Sequence, residues 1–118
     1  MRQLALVLGL LLGGAATAEQ AERAPGAEIR ALDKFKGQAT DITLRTGQSA
    51  RFGSLDIFLG ECRYPVGNPA GDAWAELEIA EQGKPGLAFS GWMVASSPAL
   101  SAMDHPRYDV WVLRCTTS

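Results

Sequence analysis

From residue 73 to residue 79 apolar and polar side chains alternate without a break: Ala73, Ala75, Leu77 and Ile79 on one parity, Trp74, Glu76 and Glu78 on the other. Successive side chains of a β-strand point to opposite faces, so this period of two describes a strand with one buried and one wet face. A helix does not accommodate it, because neighbours on one helical face recur every three or four residues. The same rule recurs along the chain. Thr40, Ile42 and Leu44 share a face ahead of Thr46-Gly47-Gln48, and Leu55, Ile57 and Leu59 alternate with Asp56, Phe58 and Gly60 before Cys62. Residues 87–95 (LAFSGWMVA) are apolar on both parities, as in a central strand, and residues 108–115 (YDVWVLRC) are rich in β-branched and aromatic side chains. Gln82-Gly83-Lys84-Pro85-Gly86 is a turn between two such runs. The one helical signal is Ser97-Pro98, a capping residue before a Pro at the first helical position, and Asp104-His105-Pro106 stops it. Six or seven strands and one short helix near residues 98–103 predict an all-β fold, a mainly antiparallel β-barrel or sandwich.

The N-terminus has a different logic. Met1-Arg2-Gln3 is a short positive stretch, Leu4 to Leu12 is unbroken apolar chain, and Ala16-Thr17-Ala18 supplies small residues for a signal peptidase. The run falls short of the roughly 20 apolar residues that span a bilayer. It predicts a Sec-type signal peptide over 1–18 with cleavage after Ala18 and no lipid-anchor Cys, a flexible lead-in over 19–26 (EQAERAPG), and a single β domain over 27–118. The expected location is the periplasm or the medium, with no transmembrane segment after cleavage. In an oxidising compartment the chain's two cysteines, Cys62 and Cys115, are expected to form one structural disulfide pinning the last strand to the middle of the sheet. A net charge of −2 offers no basic footprint, which argues against nucleic acid as a partner.

Residues able to carry chemistry are sparse. His105 is the one histidine, beside Asp104 and near Asp109, with Ser90, Ser96, Ser97 and Ser101 upstream. A serine hydrolase needs nucleophile, base and orienting acid in contact. Ser90, in Phe89-Ser90-Gly91, lies within a strand rather than in an exposed GxSxG elbow. The Asp-His-Pro context suits a turn whose imidazole bonds nearby backbone, so no catalytic residue is assigned. Glu76 and Glu78 share a strand face, as solvent-side charges do. Nothing has metal-ligand spacing, and no metal or cofactor is expected. Trp92 and Trp111, with Phe89 and Tyr108 near them, read as large rings filling the core of a small domain, with an exposed platform for a glycan or peptide as the alternative.

These residues also carry a resemblance. Leu32-Asp33-Lys34, Phe52-Gly53-Ser54-Leu55 with Cys62, Phe89-Ser90-Gly91-Trp92-Met93 with Ala95-Ser96-Ser97-Pro98-Ala99-Leu100, His105-Pro106, and Tyr108-Asp109-Val110-Trp111-Val112 ending at Cys115 resemble the domain of unknown function 2155 family, from about Ala27 to Cys115. The segment Arg63 to Pro69 is shorter and poorer in proline than that pattern. The resemblance implies small exported alphaproteobacterial proteins and brings no activity, catalytic residue or cofactor. Trp92, Ser96, Ser97, Asp104, His105, Tyr108, Asp109 and Trp111 are expected to gather in one turn-rich corner, as a recognition pocket or as polar groups satisfying buried backbone. The function expected is a non-enzymatic periplasmic β domain that binds an envelope protein or cell-wall component. The alternatives are a small envelope hydrolase using His105 with a nearby Ser or Asp, and a structural accessory of a secreted assembly.

Overall fold

The computed structural model describes residues 20–117, so the expected signal peptide lies outside the described residues. Eight strands follow in order: β1 Ala21–Ala24, β2 Gly26–Asp33, β3 Gln38–Arg45, β4 Ser49–Phe52, β5 Leu55–Pro65, β6 Trp74–Glu81, β7 Phe89–Val94 and β8 Tyr108–Thr116. All pairings are antiparallel. One sheet runs β1-β5-β6-β7, with β4 also on β5; the other runs β3-β2-β8. β1 pairs with Cys62–Pro65 and β4 with Leu55–Phe58, so the two short strands lie end to end along the edge of β5 that faces away from β6. The fold is a two-sheet sandwich.

The inner faces carry the predicted alternation. Leu55, Ile57 and Leu59 of β5, Leu77 and Ile79 of β6, Ile29 of β2 and Val112 of β8 are fully buried between the sheets. Each such side chain contributes about 1.5–3 kcal/mol relative to leaving it in water. The small Ala27, Ala31, Ala73 and Ala75 let the layers close around them.

Two β-bulges break the parity, and both serve the cysteines. In the β5·β6 ladder Leu59 pairs with Leu77 and Glu61 with Glu76, leaving Gly60 as the extra residue. In the β2·β8 ladder Val112 pairs with Ile29 and Arg114 with Glu28, leaving Leu113 extra. An extra residue inverts which side chains face inward beyond it. After Leu59 the next inward residue is therefore Cys62, and after Val112 it is Cys115. Their sulfurs are bonded, with Cα atoms 5.8 Å apart. Cys62 lies within β5 rather than at a strand end, and the bridge joins opposite sheets instead of two strands of one.

Several expectations need correction. Residues 21–24, expected as flexible lead-in, form β1: a polar stretch can add to a sheet through backbone alone, leaving three of four side chains exposed. Pro25 and Gly26 form the corner where the chain changes sheets, and a Cβ on Gly26 would stand 2.3 Å from the Leu44 carbonyl oxygen. The helix near 98–103 is one 3₁₀ turn, Pro98–Leu100, with no side-chain cap from Ser97. β7 is an edge strand, not a central one. Gly91 is covered there by the ring of Phe89, 3.7 Å from where a Cβ would stand. The core is mostly aliphatic: Tyr108 is buried in it and Phe89 packs against it, but neither tryptophan belongs to it. Trp92 is 39% exposed and Trp111 half-buried, both facing outward, because on β7 and β8 the inward parity belongs to Met93 and to Val110 and Val112.

Candidate functional site

The residues expected to share one corner fall into three places, because the segment between β7 and β8 crosses from one sheet to the other. Ser96 stays with the five-stranded sheet, where its hydroxyl donates to Asp72 Oδ2 (2.7 Å) and its amide to Asp72 Oδ1 (3.0 Å). Ser97 accepts the Leu100 amide at its carbonyl within the 3₁₀ turn, and Asp104 is exposed. Trp111 and Asp109 border a shallow recess of about 250 Å³ with Pro98 and Met103 at the open side of β8. Lys34 Nζ lies 3.9 Å from the Asp109 carboxylate.

His105 and Tyr108 lie at one end of the sandwich in a closed polar network. The imidazole Nδ1 accepts the backbone amides of Arg107 (3.0 Å) and Tyr108 (3.1 Å). That assigns the proton to Nε2, which donates to Glu81 Oε1 at 2.9 Å. This bond and the nearby imidazole hold the Glu81 carboxyl below its ordinary range. Ser54 Oγ donates to the other Glu81 oxygen (3.3 Å), and the Ser54 amide donates to the Tyr108 hydroxyl (3.3 Å). Gly53 makes room for that hydroxyl: its φ is +59°, and a Cβ there would lie 2.3 Å from the Tyr108 oxygen. Asp33 is buried beside Arg107, whose Nε and Nη2 donate to its two oxygens at 3.1 and 2.8 Å. The Arg107 hydrogen bond, with the amides of Lys36 and Phe35, outweighs burial and lowers the Asp33 pKa to about 2.

This arrangement fastens the fold and leaves little free to react. In a triad the base stands between hydroxyl and carboxylate. Here Glu81 stands between Ser54 and His105, and both imidazole nitrogens are engaged. Among the described residues no group of three or more His, Cys, Asp or Glu side chains is placed to hold a metal ion, and no helix is long and apolar enough to cross a membrane.

The outer face of the five-stranded sheet differs. Cross-strand register places Arg63, Trp74 and Val94 in one row and Glu61, Glu76 and Trp92 in the next. The Gly60 bulge is what turns Glu61 and Arg63 outward into these rows. Arg63 reaches across β6, with its guanidinium carbon 5.5 Å from the centre of the Trp92 ring. Its Nε donates to Glu61 Oε2 at 2.7 Å, and Arg23 Nε meets the same oxygen at 2.8 Å. The bond from Arg63, with Arg23 nearby, holds the Glu61 carboxyl below its usual range despite partial burial. Ala21, Arg63, Trp74 and Trp92 line a recess of about 260 Å³. Of these, sequence reasoning singled out only Trp92. The available signal was Trp74, an indole on the parity that the strand 73–79 assigns to water.

A family model described as an uncharacterised protein conserved in bacteria, domain of unknown function 2155, matches residues 27–115. An uncharacterised protein of Rickettsia prowazekii (strain Madrid E) is 33% identical over 91 residues, covering 75% of this chain and 59% of that protein, so the chain spans somewhat over half of the relative's length. No solved structure matches. The matched span begins in β2 and ends at the second half-cystine, taking in both sheets, the disulfide and the His105 network, and the chain belongs to the domain of unknown function 2155 family.

Proposed function

We propose that this is an extracytoplasmic, non-catalytic binding module that engages an envelope component through the outer face of its five-stranded sheet. One observation carries the reading: two indoles, one of them 39% exposed, border an open recess beside charged side chains. Exposed aromatic surface costs solubility, and recesses of mixed apolar and polar lining are where ligands bind. The polar groups at the other end of the sandwich are occupied with one another, and the recess of similar size beside Trp111 is bordered by one indole instead of two, so this face is the richer in binding chemistry. The leader-like residues 1–18 and a cystine tying the sheets support a location outside the cytoplasm.

Retention of the purified protein by washed cell walls and by immobilised soluble envelope proteins tests the reading. At least one fraction should retain the native protein, and Trp92→Ala should abolish retention while Arg30→Ala, on strand β2 of the opposite sheet, leaves it unchanged. Equal retention of both variants, or none of the native protein, refutes it.

A further inference from the structure

We infer that the recess between Trp74 and Trp92 seats a sugar ring of a glycan, an inference that rests on reading this face as the binding surface. Size sets the first limit. At about 260 Å³ the recess lies just below the roughly 300–1,000 Å³ of sites for drug-sized ligands, which suits one ring with its substituents. The floor sets the second. Trp74 and Trp92 occupy diagonal positions on β6 and β7, where side chains stand about 7–8 Å apart, within mutual reach for indoles. Their flat apolar faces match the C–H face of a pyranose, while the indole edge remains polar.

The rim decides the chemistry. A hydroxyl both donates and accepts, so a ring carrying several needs donors and acceptors around it. Arg63 lines the recess and supplies guanidinium donors. Arg23, Glu61 and Glu76 stand beside it in the two rows that hold the indoles, the carboxylates as acceptors, with Glu61 already bonded to both arginines. An anionic ligand would have no use for the carboxylates. A cationic one would be repelled by Arg63, whose guanidinium carbon already lies 5.5 Å from the centre of the Trp92 ring. A protein partner fits less well. A standard interface covers about 800 Å² per partner around an apolar centre, and here the apolar part is a strip of the two indoles with Ala21, Val94 and Phe58, interrupted by Arg23, Glu61, Arg63, Glu76 and Glu78.

Intrinsic tryptophan fluorescence and calorimetric titration of the purified protein test this, using tetramers of α-1,4-glucose, β-1,4-glucose, β-1,4-N-acetylglucosamine and β-1,4-mannose as probes. At least one is expected to bind saturably. Trp92→Ala and Trp74→Ala should each weaken that binding by about tenfold or more, as for central anchor residues. Trp111→Phe, on the opposite sheet, should leave it unchanged, and every variant is checked for a native melting curve. Failure of all four probes overturns the inference, as does binding that survives Trp92→Ala. If a cell-wall or protein fraction still retains the protein in a Trp92-dependent way when all four saccharides fail, the binding face stands and the sugar does not.

Discussion

Replacing both Cys62 and Cys115 with Ala should cost about 4 kcal/mol of folding stability, because the bridge closes a loop with a sequence separation of 53. Chain-entropy theory puts the entropy removed from the unfolded ensemble at about 14 cal/mol/K for such a loop, or about 4 kcal/mol at room temperature. Alanine keeps the site apolar between the sheets, so the double variant isolates the constraint better than serine, whose hydroxyl would be buried. With an unfolding entropy of about 2.1 cal/mol/K per residue over about 100 residues, the midpoint should fall by roughly 20 °C. Far-UV circular dichroism during heating and during urea titration reads both quantities, with the native protein plus reductant as a second route to the open chain. Near-native structure should persist at low temperature, since both bulged ladders and the aliphatic core remain. A loss below about 1 kcal/mol would refute the reasoning: the bridge would then constrain little that the unfolded chain explores.

Further expectations concern the end of the sandwich around His105. Gly53→Ala places a Cβ 2.3 Å from the Tyr108 oxygen in a left-handed backbone, and should cost about 3 kcal/mol in urea unfolding from overpacking and backbone strain together. Asp33, with a pKa near 2 against an ordinary 3.8, stabilises the fold at every pH above the unfolded value. That contribution is lost as pH falls from about 4 through 2, and Arg107→Gln should flatten this part of a stability-against-pH curve. His105→Ala orphans the amides of Arg107 and Tyr108 and should cost about 1–3 kcal/mol for each amide that water does not reach, while envelope retention persists in protein that remains folded. Loss of retention by folded His105→Ala protein would return the imidazole to the functional site.

Legibility followed the size of the inward side chains. β5 and β6 were readable because Leu55, Ile57, Leu59, Leu77 and Ile79 repeat on one parity. β2, the middle strand of its sheet, turns Ala27, Ala31 and Asp33 inward beside Ile29, so small and charged residues hid the pattern. β1 had no pattern to read, since its first three side chains are exposed and only Ala24 is buried. For the indoles, apolarity says that a side chain prefers company without saying on which face it finds it. Neighbours between residues 96 and 111 look like one site in the chain, yet that segment spans two sheets. The true partners of His105 and Tyr108 are Glu81, at the end of β6, and Ser54 and Gly53, in the turn between β4 and β5, and no local spacing announces them.

The two bulges make the cystine a record of assembly. A slip of one residue in either ladder would turn a cysteine to the opposite face of its sheet. The bond therefore requires two separately formed registers, β5 on β6 and β2 on β8, to be right together. Oxidation then acts as a checksum on folding: molecules with both extra residues in place become sealed, while mispaired ones keep reactive thiols that can exchange and try again. Proteins of this kind should accordingly resist reduction most strongly in the state that is also correctly threaded.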